Sequence, residues 1–372
     1  MKIALVHELL TMKGGAERVL RVFADMFPDA PIYTLLYNEE KLGEWFPKDR
    51  VIPAKLPTPY FLLPNSYRHN HHLLLRHFPK MTESWDFFDY DLVISSSSAF
   101  THGIITNGKP KHLCYVQSPA RYLWDRTHDV LNRADKGVLG PIRRRYLERT
   151  FHKLRAWDAE AADRPDKLIA ASKEIQRRVE LYWRRDSDVI YPPVDDYWLT
   201  PGAEAHEPPL HGYFLIVSTL VHYKRIELAI EACNKGGKQL KIVGEGPDRN
   251  RLEKLAGPTV EFLGYEPTEK VRELYTNAQA TLFPGDEDFG LVPLESMACG
   301  TPVIAYRSGG ALETIEEGKT GEFFSAPNAD DMLSVMEKCE SKTYDTQACR
   351  TRAQQFSRER FEQEIRGAID VL

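Results

Sequence analysis

Five cysteines in 372 residues is a small supply, and no two of them form a C-x-x-C pair. Cys114, Cys233, Cys299, Cys339 and Cys349 are odd in number, and only the last two stand as close as ten residues. This excludes a disulfide-framework fold and a zinc ribbon, and it fits a reducing compartment. Excess positive charge is missing too: 49 Lys+Arg against 54 Asp+Glu gives a net charge of −5. A global field for nucleic acid is therefore absent, no nucleic-acid partner is expected, and any basic surface has to be local. No run of 18 apolar residues occurs, so no bilayer-spanning helix is expected. The opening MKIALVHELL is interrupted at His7 and Glu8, too early for the apolar region of a signal peptide. These absences together point to a protein made and kept in the cytoplasm.

What the chain does have is alternation. At about 150 residues per domain its length suggests two domains. Met1 to Val6 is a short apolar run, followed by the Gly14-Gly15 pair and then by Val19, Leu20, Val22, Phe23 and Met26 at helical spacing. Strand, glycine loop and helix open a Rossmann-like unit. Further buried strands are expected at Asp91–Ser95, His112–Val116, Lys167–Ala170 and Asp188–Tyr191. The proline- and acid-rich YPPVDDYWLTPGAEAHEPP reads as a linker. Beyond it, apolar runs at Tyr213–Val217, Leu240–Val243, Val260–Leu263, Ala280–Phe283, Pro302–Ala305 and Gly321–Phe324 alternate with helical segments. Those helices are expected to start near Lys224, Pro247, Thr268, Leu291, Ala311 and Asn328. Such alternation implies a parallel sheet covered on both faces. The expected division is 1–192, a linker over 193–209 and 210–355, with a C-terminal helix over 356–372 packing back on the first domain.

The sharpest motif is FPGDEDFGLVPLESMACGTPVIA, which starts at Phe283. A strand ends there, an acidic glycine loop follows, and a helix begins near Leu291. Glu287 and Glu295 are eight residues apart. Backbone N–H groups around Phe289, Gly290, Leu291 and Val292 make a helix N-terminus suited to phosphate. By spacing alone, an acidic loop with first-turn glutamates that favour the helix dipole is an equal reading. The Ser95–Ser98 run reads either as a phosphate loop or as a post-strand turn. Glu245 reads as a loop or cap residue. His7, His222, His69, His71, His72 and His77 match no metal-site spacing, and no metal is expected. The segment IRRRYLERTFHKLRAW reads as a basic amphipathic helix. It is either a solvated face or a surface for anionic membrane, because basic residues interleave with Ile142, Tyr146, Phe151, Leu154 and Trp157.

Nearly the whole chain resembles the retaining glycosyltransferases of family 4, the glycosyl transferases group 1. The resemblance rests on KGGAERV, YDLVISSSS, YVQSPARYLWD, DKLIAASK, VIYPPVD, VSTLVHYKRIELAIEA, IVGEGPDRNRLEKLA, VEFLGY, the E-x7-E stretch with ACGTPVIAYRSGGALETI, and FSRERF, in that order. It implies the GT-B fold, an α/β pair of Rossmann-like domains facing across a cleft. The subgroup it looks most like contains mannosyltransferases of bacterial surface polysaccharide and glycolipid synthesis that use GDP-mannose, with a UDP-sugar as the alternative donor. The acceptor implied is a glycan or a lipid-linked sugar, and no cofactor or essential metal is implied.

Carried over residue by residue, the resemblance places Glu287 at the donor-sugar hydroxyls and Glu295 at the ribose. Lys224 falls at the diphosphate leaving group, with Gly14 and Gly15 in the first-domain glycine loop. Gly264 and Tyr265 fall beside the base, and Phe289, Gly290, Leu291 and Val292 in the loop that approaches sugar and phosphate. Two positions depart from the family. Gln117 stands where a histidine is usual near the reacting carbon, and it carries no proton or charge. Thr219 stands where an arginine usually grips the diphosphate; Arg225 and Arg121 are the candidate substitutes. These departures support the alternative of a non-catalytic sugar-nucleotide or glycan binding subunit. A second alternative is another GT-B activity, such as an epimerase or a phosphorylase. Arg143, Arg144, Arg145 and Arg149 are the candidate contacts to an anionic membrane, at the inner face of the cell membrane.

Overall fold

The computed structural model describes residues 1–56, 74–200 and 212–372. It divides into two units, Met1–Tyr191 with Glu362–Leu372, and Pro192–Phe361. The first eight residues of the expected linker belong to the second unit and include the short helix Asp196–Leu199. The rest of the linker, 201–209, lies outside the described residues, as do His69, His71 and His72. The helix Arg358–Asp370 begins in the second unit and continues in the first.

Unit one carries a sheet of seven strands: β1 (Ile3–Leu10), β2 (Ile32–Tyr37), β3 (Val51–Pro53), β4 (Leu92–Ser97), β5 (Lys111–Val116), β6 (Lys167–Ala170) and β7 (Asp188–Val189). Their order is β3-β2-β1-β4-β5-β6-β7, and every pairing is parallel. Parallel strands are covered on both faces, which is why β4 and β5 read as nearly unbroken buried runs. β2 and β3 were not expected from the sequence. IYTLLY carries too little alternation to separate a buried strand from a helix segment, and VIP is only three residues long. β1 also runs four residues past the expected end at Val6. His7 and Glu8 stay in the strand because both find partners inside the unit.

Unit two carries β8 (Tyr213–Val217), β9 (Leu240–Val243), β10 (Val260–Gly264), β11 (Ala278–Phe283), β12 (Val303–Tyr306) and β13 (Gly321–Phe324). The order β10-β9-β8-β11-β12-β13 is again wholly parallel. Phe214, Ile216, Ile230, Leu282, Ile304 and Phe324 form its core with the helices Ile226–Gly236 and Ala329–Glu340. Local caps fix where helices start. The Asn328 side chain accepts from the Asp331 N–H at 2.9 Å, and Ser172 does the same for Ile175 at 3.1 Å. The expected start near Lys224 is corrected to Ile226. Lys224 closes a short 3-10 turn, and Arg225 takes a left-handed backbone (φ 51°) before the helix begins.

The basic helix runs over Gly140–Ala161, and one face of its second half is buried in the core. Phe151 and Leu154 are buried in the first unit's main cluster, and Trp157 donates to Glu83 at 2.8 Å. Asp158 is fully buried on this helix and accepts from the indole N–H groups of Trp183 at 2.7 Å and Trp124 at 2.9 Å. His102, stacked on Trp183, lies 3.3 Å from the Asp158 carbonyl. Burial pushes the Asp158 carboxyl up to about 7, against the pull of the two indoles, and pushes the His102 imidazole down to about 3. A carboxyl raised in the folded state stabilises the fold below its ordinary value, and that contribution is lost as pH climbs through the raised one. The loss therefore falls between about pH 4 and pH 7 and is on the order of 4 kcal/mol. Asp158→Asn keeps an acceptor for both indoles without the charge. Its thermal midpoint is expected to exceed wild type at pH 8 and to vary less between pH 5 and pH 8. Equal pH slopes in a melting series would contradict this.

Candidate functional site

In the second unit the strand order reverses between β8 and β11, and open parallel sheets bind ligands at the carboxyl edge of such a reversal. The segments that follow these two strands meet there. Lys224, after β8, pairs through Nζ with Oε1 of Glu287, after β11, at 2.5 Å. Each side chain keeps 17% of its exposure, so the pair is sheltered yet reachable. Gly285 makes room for the approach: a Cβ there would lie 3.2 Å from the Lys224 Cα.

The rest of the acidic loop is pinned from β12's side. The Ser308 hydroxyl donates to Asp286 Oδ1 at 2.9 Å, and the Gly310 N–H donates to the Glu287 carbonyl at 3.0 Å. A Cβ on Gly310 would overlap Phe289 Cα at 2.2 Å. Gly290 then turns the chain at φ 88°, with no space for a Cβ beside the Phe283 ring. The helix Leu291–Ala298 starts at once, and its first amides, including those of Leu291 and Val292, have no acceptor within the helix. Cation and carboxylate thus pair at the loop that leads, four residues later, into the helix N-terminus. Ser308, Gly309 and Gly310 were not assigned a role from the sequence. Their signal was a serine-glycine-glycine run directly after a buried strand.

Other expected residues lie around this point. Glu295 is buried on the same helix and accepts from the Tyr275 hydroxyl at 3.3 Å. Gly264 ends β10 with φ 76°, next to the ion pair of Glu245 and Arg249, and Tyr265 beyond it is exposed. Thr219 is exposed two residues past β8 and accepts through its carbonyl from the Ser218 hydroxyl. The Arg225 guanidinium covers the Tyr306 ring at 5.1 Å.

In the first unit, Gly14 and Gly15 follow β1 and open the helix Gly15–Met26. The Glu17 carboxylate takes the Gly14 N–H at 3.0 Å and lies 3.5 Å from His7 Nε2, which ties the glycine loop to the strand. Gln117 follows β5 and donates to Ser96 Oγ at 3.2 Å. Arg121 pairs with Asp125 at 3.1 Å. The serine run is no open phosphate loop. Glu8 Oε1 accepts the backbone N–H groups of Ser98 at 2.9 Å, Phe100 at 2.5 Å and Thr101 at 3.3 Å, together with that of Ala99. The protein's own carboxylate fills the nest. Among the described residues, no group of three His, Cys, Asp or Glu side chains is arranged to hold a metal ion.

Residues 206–356 match the family model described as Glycosyl transferases group 1. An uncharacterized glycosyltransferase of Methanocaldococcus jannaschii is 27% identical over 177 residues, 46% of this chain and 49% of that protein. A GDP-mannose-dependent alpha-(1-6)-phosphatidylinositol dimannoside mannosyltransferase of Mycobacterium tuberculosis is 40% identical over 96 residues, 25% of each chain. The chain thus spans about half or less of the curated relatives it matches. HepE of Anabaena, solved in complex with UDP, superposes with a TM-score of 0.71 over 100% of both chains at 17% identity. The fold is that of the GT-B glycosyltransferases, with two Rossmann-like parallel-sheet domains. The sequence matches support a group 1 glycosyltransferase.

Glu8→Ala leaves at least three buried amides without an acceptor. Unsatisfied groups cost about 1–3 kcal/mol each. The variant is expected to lose at least about 3 kcal/mol in denaturant unfolding, with no recovery in phosphate buffer. A loss under 1 kcal/mol would show the nest to be dispensable.

Proposed function

We propose that this protein is a retaining, metal-independent glycosyltransferase of family 4. It moves a sugar, mannose from GDP-mannose in the favoured case, from a nucleotide-sugar to a glycan or lipid-linked acceptor in surface polysaccharide or glycolipid synthesis. The observation that carries this reading is the Lys224–Glu287 pair at the loop that leads into the Leu291 helix N-terminus. HepE's complex with UDP and the GDP-mannose dependence of the mycobacterial relative support a nucleoside diphosphate sugar as donor. The reading places the work in the cytoplasm, with the acceptor on the first unit.

Each half of the pair has a task on a diphosphate sugar. The donor diphosphate takes the Lys224 ammonium and the amides of Leu291 and Val292, where helix N-terminus and cation add their potentials. Glu287 is released by the same event and turns to the sugar hydroxyls. Glu295 serves the ribose, and Gly264 and Tyr265 the base. The acceptor oxygen attacks the anomeric carbon from the face that the phosphate leaves. The new glycosidic bond forms as the sugar–phosphate bond breaks, and the departing diphosphate takes the acceptor's proton. Catalysis comes from leaving-group stabilisation and positioning, without a protein nucleophile.

This exchange of partners separates the two residues experimentally. Lys224→Ala is expected to weaken GDP or UDP binding and to cut turnover on the order of a hundred-fold. Glu287→Ala frees the ammonium, so nucleoside diphosphate affinity should hold or rise while transfer falls about ten- to a hundred-fold. Calorimetric titration with GDP and UDP, beside transfer assays with GDP-mannose and UDP-sugars, reads both effects. If wild type binds neither nucleotide, the donor site assigned here is wrong. If it binds a nucleotide and splits no donor of the panel, a non-catalytic binding subunit is the better reading.

A further inference from the structure

The turn into the basic helix leaves its apolar side chains in solvent. Val138 is 99% exposed, and Leu139 and Ile142 are 63% and 69% exposed. Soluble surfaces rarely cluster bare aliphatic side chains in this way without a partner. Helical geometry sets Leu139 beneath Arg143 and Ile142 beneath Tyr146 and Arg149. The exposed cations Lys136, Arg143, Arg145 and Arg149 therefore ring the aliphatic tip. The nearby acids are already engaged: Asp135 and Glu148 both pair with Arg144. Net positive charge remains around the tip of a chain whose overall charge is −5.

We infer that the turn Val138–Ile142 is a wedge that enters the interface of an anionic phospholipid bilayer, while Arg143, Arg145 and Arg149 hold lipid phosphates around it. The charge pattern favours lipid over a protein groove. Aliphatic residues at a protruding tip with cations on their flanks match a surface that is apolar below and anionic above. Two earlier expectations are revised by this placement. Phe151, Leu154 and Trp157 belong to the protein interior and do not reach lipid, and Arg144 is spent on its two acids. The inference does not depend on the proposed transfer reaction.

The test uses the full chain and vesicles without any sugar. Wild type is expected to co-sediment with vesicles of phosphatidylcholine and phosphatidylglycerol, much less with phosphatidylcholine alone, and to come off at high salt. Each cation beside an anionic surface strengthens binding about fivefold. Arg143→Glu, Arg145→Glu and Arg149→Glu together should therefore abolish binding. Val138→Asp with Ile142→Asp should weaken it at least tenfold with all arginines kept. Both sites are exposed, so unchanged melting temperatures are expected and confirm folded protein. Binding untouched by the double aspartate variant would overturn the wedge. Equal binding to neutral vesicles would overturn the role of the arginines, and binding to neither vesicle would overturn the whole inference.

Discussion

One backbone turn sets the candidate site: Gly290, held left-handed against the Phe283 ring. A side chain there meets both a forbidden backbone region and a filled space. Because the chain turns at that residue, the helix Leu291–Ala298 begins after a loop of seven residues, and Glu287 is left on that loop. The Gly309–Gly310 pair then closes on this loop at a distance only glycine permits. Three glycines after two neighbouring strands thereby fix the loop that carries the carboxylate and the helix end, while Gly285 admits the backbone of Lys224.

The two units share a topology and use its reversal point differently. In the first, a carboxylate on β1 reaches across to the amides after β4 and saturates them, so the position becomes a structural anchor. In the second, the loops after β8 and β11 leave a cation and a carboxylate facing each other with part of both surfaces open. The same sheet geometry is filled in one case and left partly open in the other. The difference is one of position: Glu8 lies within its strand and is committed to the amides, whereas Lys224 lies seven residues beyond β8 in a pair that keeps part of its surface open.

Much of this was legible in the chain. The strands of the second unit agree with the apolar runs to within two residues at either end, because long alternation of apolar runs with helical spacing has few other solutions. The acidic loop and its helix were legible for the same reason. β2 and β3 were not, since a short apolar run carries no period of its own. The Lys224–Glu287 contact was hidden as well. Sixty-three residues separate the two, and only the strand order makes β8 and β11 neighbours. The basic helix was recognised, yet its division into a buried face and an exposed tip depends on Asp158, whose two tryptophan donors come from different parts of the chain.

All five cysteines are free and buried, and burial pushes each thiol up to about 12. At neutral pH the thiolate population is negligible, and none of the sulfurs is within easy reach of a reagent. The protein therefore carries a chemically silent background. A single cysteine introduced at an exposed position would be the one that alkylates, which allows a spectroscopic probe to be attached to either unit without first removing a native thiol.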